Sequence, residues 1–568
     1  MLGALTQLID ESLEGFSPTS IILGTLALPI ANALYQREWR EDLRWVQDKA
    51  FKIAPKIPFI GSKFQHEIDK KFEPAMDEMD QDIHKKRTLV YKSLPREGID
   101  KKVLLEQIKK DCDFSEIGDK MSGAIYRSLI DRDLDSLNAE IFGLAAYTNP
   151  LHAGAWPNLA QREAEVLAWC SALFQGDDTM CGSITNGGTF SIMEACRTYK
   201  EWAKKEKGIT RPNMVVPATV HAAFDKAAQD YGIKLIKVPV DPKTQIADVK
   251  AMSRKINKNT IAIVGSAPSY PTGTIDPIKA LSELALKHHI GCHVDACLGG
   301  LLLPFAKDAG KKLPAFDFSL KGVSSMSLDP HKYGQTAKGS SVVLMRKKFG
   351  IHQPYIFLDS PIGMYITPNQ AGSRCGANIL MTWATLAHIG RDNYVDITKR
   401  IFNLREKIAD EIKQIADLKI LGTPLLSVIA FDAKDLNIYL ISEKMKAKGW
   451  HLNNIQNPAG THLCLTAKHL EDPQFSATFI QDLKECVQYV KDHPHEKPKG
   501  EGAVYATLGS IPAVISPQLK EKLGQEYYYL STRIQPTRAK KRETAQEQSP
   551  QEVKNPRPRR PRFTNTNQ

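Results

Sequence analysis

At 568 residues the chain is too long for one hydrophobic core, so a large domain with smaller appendages is expected. Hydrophobic residues make up 42% and charged residues 25%, which is ordinary for a soluble globular protein. The net charge of +12 suggests a nucleic-acid binder until it is located: Arg533 to Gln568 holds ten Lys/Arg against three Asp/Glu, so the basic character belongs to a tail and a basic groove on the fold is excluded.

The first 20 residues contain no Lys or Arg, so no signal-peptide n-region is present. Gly15 to Gln36 lacks charge, and its apolar centre Ile21–Tyr35 is interrupted by Gly24, Pro29 and Asn32. A spanning helix needs roughly 20 apolar residues. The stretch therefore stands between a span and a short buried or interfacial helix. If it spans, Arg37, Arg40 and Arg44 follow it while Asp10, Glu11 and Glu14 precede it, which places the remainder of the chain in the cytosol. A segment 1–60 is assigned on this basis, followed by a charged helical region over 61–148.

From Asn149 to Tyr394 short Val/Ile-rich runs alternate with helical patterns. Strands are predicted at Met214–Val220, Leu235–Val240, Ile261–Ala267, Gly291–Asp295 and Ser340–Arg346. This alternation indicates a mostly parallel sheet covered on both faces. We assign 149–396 to this domain and 397–510 to a smaller α+β domain with strands at Leu426–Phe431 and His462–Leu465. The end, 511–568, is basic, and after Leu530 it is expected to be disordered. The nine cysteines include no CxxC pair, so reduced thiols and no zinc knuckle are expected.

Four local patterns carry chemistry. Thr185-Asn186-Gly187-Gly188-Thr189 opens an amphipathic helix, and glycines at a helix N-terminus leave free N–H groups for an anion such as a phosphate; Gly188 and Thr189 are the assigned contacts. His221 follows a predicted strand and suits stacking on a flat ring. The strand Ile290–Ala296 ends in Asp295, an acidic partner for a pyridine nitrogen; ring protonation turns pyridoxal phosphate (PLP) into an electron sink. Lys332, after a short strand and beside His331, suits a Schiff-base lysine, and partial burial is expected to favour its neutral amine. Each pattern alone fits a plain turn, a solvated histidine, a helix cap or a surface lysine; the set is what points to a site.

In this order the set resembles fold-type I PLP enzymes, within the group that contains amino-acid decarboxylases. Longer strings are similar to those of the sphingosine-1-phosphate lyase family: Asn149-Pro150-Leu151-His152, Asp295-Ala296-Cys297-Leu298-Gly299-Gly300, His331-Lys332-Tyr333-Gly334, Ala337-Lys338-Gly339-Ser340-Ser341 and Ala371-Gly372-Ser373-Arg374. The similarity runs from Ser122 to Tyr505, about two thirds of the chain. Departures are Thr185-Asn186 where Ser is common before the glycines, Phe190 for an acidic residue, Asp329-Pro330 for Asp-Thr and Arg374-Cys375 for Arg-Pro.

The resemblance implies a fold-type I transferase fold, with a mostly parallel seven-stranded sheet and a smaller C-terminal α+β domain. It implies PLP as cofactor and retro-aldol cleavage of phosphorylated sphingoid bases to a fatty aldehyde and phosphoethanolamine. Lys338 corresponds to a second functional lysine that binds substrate phosphate or carries protons. His152 is expected at the polar head, and Tyr126 and Tyr505 at the pocket mouth. Gly372 and Ser373 resemble a loop that reaches the cofactor phosphate of a neighbouring subunit, which implies a homodimer with shared sites. A cytosol-facing, membrane-associated placement follows the family pattern; a bacterial source would imply the cytoplasm or delivery into a host cell. Two other readings are open to the sequence: a PLP-dependent amino-acid decarboxylase, and a non-catalytic sphingolipid- or membrane-binding scaffold. No nucleic-acid partner is expected, because Arg557-Pro558-Arg559-Arg560-Pro561-Arg562 lacks interleaved aromatics.

Overall fold

The computed structural model describes residues 97–112, 120–128, 131–359, 361 and 363–499, with isolated positions at 94, 95, 502, 505, 521, 524, 525 and 528. The apolar stretch Ile21–Tyr35 and the tail from residue 531 lie outside the described residues. Among the described residues no helix is long and apolar enough to cross a membrane.

Among the described residues, three α-helices precede the main sheet: α1 (Lys101–Asp111), α2 (Arg132–Ala145) and α3 (Pro157–Leu173). Asp100 and Asp131 cap the first two, accepting from Lys102 N and Leu134 N, and a proline opens the third. Strand and helix then alternate: β1 (Met180–Thr185), α4 (Gly188–Lys207), β2 (Asn213–Pro217), α5 (Ala223–Tyr231), β3 (Lys234–Val238), α6 (Val249–Lys255), β4 (Thr260–Ser266), α7 (Ile278–His288), β5 (Gly291–Ala296), β6 (Ser325–Leu328) and β7 (Ser341–Arg346).

These strands form one seven-stranded sheet, in the order β1-β7-β6-β5-β4-β2-β3. All pairings from β6 to β3 are parallel, while β7 runs antiparallel to both of its neighbours. β4 and β5 are buried along their whole length, because helices cover both faces of the sheet. Alternation sorts β7 between two cores: Val342 and Leu344 enter one, Val343 and Met345 the other.

The predicted strands are present, with differences at their ends. β2 stops at Pro217 because the chain turns there, with Val220 N donating to Pro217 O. β1, of mixed polarity, carries no predicted strand.

A small hairpin, β8 (Tyr355–Phe357) and β9 (Tyr365–Thr367), leads into α8 (Gly376–Lys413). α8 is interrupted at Gly390 (φ 70°, ψ 164°), and the expected division at 396/397 falls just beyond that break. The second domain is an antiparallel sheet, β10 (Leu418–Ile420), β11 (Val428–Ala433), β13 (Gly460–Cys464) and β12 (Asn453–Ile455) in that spatial order. Helices α9 (Ile438–Ala447) and α10 (Phe475–Asp492) pack with it. Trp450 anchors its core, edge-on to Phe475 at 5.4 Å and Phe479 at 5.0 Å.

Candidate active site

The carboxyl ends of β2, β4, β5 and β6 open on one edge of the sheet, where open α/β folds place their ligands. β1 runs antiparallel to β7, which is itself antiparallel to β6, so β1 ends on that same edge. The four chemistry-bearing patterns of the sequence, the Gly187–Gly188 turn, His221, Asp295 and Lys332, lie at or after the ends of strands that finish there.

At the end of β1 the chain makes a turn that only glycine adopts readily. Gly187 has φ 147°, and α4 begins at Gly188. The first N–H groups of a helix have no partner within it, so those of Gly188 and Thr189 face the site edge. The Gly187 carbonyl accepts from Phe190 N (2.9 Å) and Ser191 N (3.1 Å), and Thr185 Oγ1 donates to it at 3.1 Å. Gly188 is required for a different reason. A Cβ there would stand 2.6 and 2.8 Å from the carboxylate oxygens of Asp329 and 3.0 Å from Cys297 Sγ.

β5 presents Asp295, which is buried; its Oδ1 accepts from Cys297 N at 3.0 Å and Ser327 Oγ at 3.3 Å. His293 lies two residues before it, with its ring nitrogens 2.7 Å from Ser325 Oγ and 3.2 Å from Ser327 Oγ. Burial pushes the His293 imidazole down to about 4, against the opposing pull of Asp295. A neutral imidazole thus braces Ser327 beneath the carboxylate. His221, after β2, is exposed; its Nδ1 accepts from Ala223 N at 3.1 Å, which fixes the ring in a turn at the same edge.

β6 leads into Asp329, Pro330, His331 and Lys332. Lys332 Nζ lies 3.0 Å from Asp329 Oδ2. Burial by itself lowers the lysine, but the charge of Asp329, with Cys297 and Asp295 beyond it, prevails and raises the ammonium above its ordinary value. Asp329 mirrors this. Burial pushes its carboxyl up, yet Lys332 and His331 hold it below the usual range. The expectation that partial burial leaves Lys332 neutral is therefore corrected: Asp329, noted in the sequence only within the Asp329-Pro330 departure, is a buried counter-ion that reverses the sign. His331 Nδ1 accepts from Ser340 N at 3.3 Å, and burial lowers its imidazole.

Lys338 Nζ stands 4.8 Å from the centroid of the Tyr126 ring and 3.4 Å from the His331 carbonyl. Burial, then the neighbouring Lys332, lowers its ammonium. Tyr126 itself is only 8% exposed, so it forms the floor beneath Lys338. Its ring meets Tyr333 edge-on at 5.0 Å. Tyr333 joins the two domains, its hydroxyl 2.6 Å from Leu465 O and 2.5 Å from Ser427 Oγ. Tyr505 stacks on Tyr439 at 5.9 Å.

Sequence reasoning missed Tyr270, on the loop after β4. Its ring meets His462 edge-on at 4.8 Å. Burial pushes its phenol up to about 12, and it senses Cys464, Tyr505 and Lys332. The signal available was only its place after a strand, which many residues share. Asp329 was missed for a related reason: its partner at Gly188 lies 141 positions away in the chain.

His152 and Ser373 form a separate group. Asn149 Nδ2 donates to Ser373 Oγ at 2.9 Å, and His152 lies in the 3-10 turn that Asn149 caps. None of their hydrogen bonds reaches Lys332, Asp295 or the Gly187–Gly188 turn. The loop bearing Gly372 and Ser373 is firmly held. Arg374 forms two bonds to Glu163 (2.7 and 3.0 Å) and one to Ile184 O (2.7 Å), and Gln370 N donates to Glu194 at 2.6 Å. A Cβ on Gly372 would sit 2.2 Å from the Tyr365 hydroxyl oxygen, so the loop passes tightly under the hairpin.

The residues fit PLP on structural grounds. A glycine turn opens a helix for the phosphate, a carboxylate held by an N–H and a hydroxyl faces the edge for the ring nitrogen, and a lysine stands at the same edge for the carbonyl. A model of the pyridoxal-dependent decarboxylase conserved domain matches residues 94–434. The sphingosine-1-phosphate lyase of Drosophila melanogaster is 40% identical over 486 residues, covering 84% of this chain and 88% of that protein. Among solved structures, a Burkholderia pseudomallei sphingosine-1-phosphate lyase superposes with a TM-score of 0.69 at 35% identity, covering 72% of this chain and 95% of that one. Lactobacillus brevis glutamate decarboxylase, at 17% identity and a TM-score of 0.61, shares the fold.

Proposed function

Since the chain belongs to the sphingosine-1-phosphate lyase family, we propose that it cleaves phosphorylated long-chain amino alcohols between the amine-bearing and hydroxyl-bearing carbons, releasing a fatty aldehyde and phosphoethanolamine. The observation that carries this reading is the meeting of Lys332, Asp295 and the Gly187–Gly188 turn at one sheet edge, in a chain 40% identical to such a lyase.

PLP, when bound, supplies a carbonyl for amines and a protonated ring that accepts the electron pair of the breaking bond. Lys332 is the residue that would hold that carbonyl, and Asp295 the one that would favour a proton on the ring nitrogen. The N–H groups of Gly188 and Thr189, with His331, receive the phosphate, and His221 offers its ring face. Lys338 has its ammonium lowered, which suits it to take the proton of the substrate hydroxyl and return it. Tyr126 supports Lys338 from below, and Tyr270 and Tyr505 line the approach. His152 is assigned to the polar head of the substrate.

Gly372 and Ser373 are assigned to the site of a second copy. Ser373 is exposed and held in place by Asn149, a posture suited to reaching a neighbour. Sedimentation paired with activity tests this: activity should track the dimer, and a fully active monomer refutes it. The working surface is taken to face the cytosol, with Ile21–Tyr35 as the membrane-associating element. Fractionation of the full chain beside a variant lacking residues 1–36 decides it, and equal membrane recovery of the two counts against the anchor.

The reaction itself is tested by incubating the full chain with phosphorylated sphingosine, with and without PLP, and reading products by mass spectrometry. Aldehyde and phosphoethanolamine are expected; carbon dioxide from amino acids in their place would make the protein a decarboxylase.

A further inference from the structure

Asp329 has no part in the assignments above, yet it is the charge nearest to the reacting lysine. It is 2% exposed and lies in the turn between β6 and Lys332. Its Oδ2 is 3.0 Å from Lys332 Nζ and 3.5 Å from His331 Nε2, while Oδ1 is buried without a hydrogen-bond partner. The carboxylate presses against the first residue of α4, where a Cβ on Gly188 would be 2.6 Å from Oδ2. An ammonium is not a nucleophile, so Lys332 must surrender a proton before its nitrogen can attack a carbonyl. A buried anion 3.0 Å away opposes that loss.

Other titratable groups face the pair. Asp295 and Cys297 approach from the end of β5, and His331 and Lys338 from the loop of Lys332 itself. Tyr126, Tyr270 from the loop after β4, and Cys464 from β13 complete the surround. Burial raises the thiols and phenols among them, so they stay neutral near pH 7. Asp295 already accepts from Cys297 N and Ser327 Oγ. Asp329 is therefore the anion matched to Lys332.

We infer that Asp329 is a positioning residue for cofactor capture: it holds Lys332 as an ammonium in the unloaded protein and receives one proton when that nitrogen condenses with the cofactor's carbonyl. The atoms balance. Of the three ammonium protons, two leave with the carbonyl oxygen as water while the carbon–nitrogen bond forms, and the third moves to the Asp329 carboxylate. A neutral carboxylic acid, and not a second anion, then lies beside the arriving phosphate.

This inference rests on the reading of Lys332 as the cofactor lysine, and the test separates the two. The full chain is stripped with hydroxylamine and refilled with PLP across pH 6 to 10, following visible absorbance, for wild type and Asp329→Asn. The variant should capture PLP at least about tenfold faster near pH 7.5, with its midpoint at least about one unit lower. Pyridoxal, which lacks the phosphate, should show the same ratio between the two proteins. Identical profiles overturn the inference, as does an acceleration seen only with the phosphorylated cofactor, which would mark simple repulsion at the α4 turn. Should Asp329→Asn not fold, competitive acetylation of unloaded wild type with peptide mapping decides the matter: Lys332 titrating at or below an ordinary lysine overturns it. No uptake at all by wild type would sink the cofactor reading instead.

Discussion

Replacing Gly188 by alanine tests how the site is built. Ordinary van der Waals contact begins near 3.4 Å, and the new Cβ would meet the Asp329 oxygens at 2.6 and 2.8 Å and Cys297 Sγ at 3.0 Å. The carboxylate must therefore retreat by about 0.6 to 0.8 Å, which strains its 3.0 Å ion pair with Lys332. Overpacking of this kind costs about 1–3 kcal/mol. Alanine recovers up to ~1 kcal/mol through its better helix propensity, so a net loss of ~1–2 kcal/mol is expected. Urea unfolding of the cofactor-free full chain measures the loss, and an absorbance titration with PLP should show weakened binding. Adding Cys297→Ala removes one of the close contacts and should restore part of the stability. Gly187→Ala is a control with a different cause: its Cβ has room, the nearest atom being His331 Cε1 at 3.8 Å, but φ 147° costs an L-residue about 1–3 kcal/mol. If Gly188→Ala unfolds at the wild-type midpoint and binds PLP unchanged, α4 does not abut Asp329 and the account of the turn is wrong.

Lys332→Ala should lose both the visible absorbance of lysine-linked cofactor and turnover, while circular dichroism stays native; wild-type cleavage by this variant would remove Lys332 from its role. Tyr333→Phe deletes a buried hydroxyl that donates to Leu465 O, which costs about 1–3 kcal/mol for the acceptor left unpaired; an unchanged denaturation midpoint would show that the seam does not depend on it. Burial also pushes the His462 imidazole down to about 4 from 6.5. The unfolded chain then binds the extra proton more readily, so this contribution is complete above about 6.5 and lost as pH falls toward 4. Relative to His462→Gln, wild type should lose stability over that window in pH-dependent unfolding, and a constant difference would contradict it. Asp276, pushed up to about 6 by burial, has the opposite slope in wild type, which is why the comparison uses the difference between two proteins.

The sheet was legible where its strands are apolar throughout. β4 and β5 are buried on both faces and read as continuous runs. β1, with Cys181, Gly182, Ser183 and Thr185, offers no such pattern; its strand exists because six residues pair with β7. The glycine turn, Asp295 and Lys332 were visible because each ends a strand or opens a helix in a recognisable way. The pairing of Asp329 with Lys332 was not, since its consequence depends on how closely α4 approaches β6. Tyr270 and His462 likewise meet only after the second domain docks. Local pattern places single residues at an edge; which of them touch is set by tertiary packing, and so is the sign of the Lys332 shift.

Tyr333 follows Lys332 directly, and its hydroxyl is fastened to Ser427 and Leu465 of the smaller domain. Gly334, the next residue, is fastened through its carbonyl to Tyr394 of α8 at 2.8 Å. One short stretch of backbone is thus moored to the smaller domain and to α8 at once. Tilting the C-terminal lobe by even a few degrees would tug the reactive amine through a single peptide link, so damage far from the cofactor, at the lobe's own hydrophobic heart around Trp450, should register first as a misaimed nucleophile and only later as unfolding.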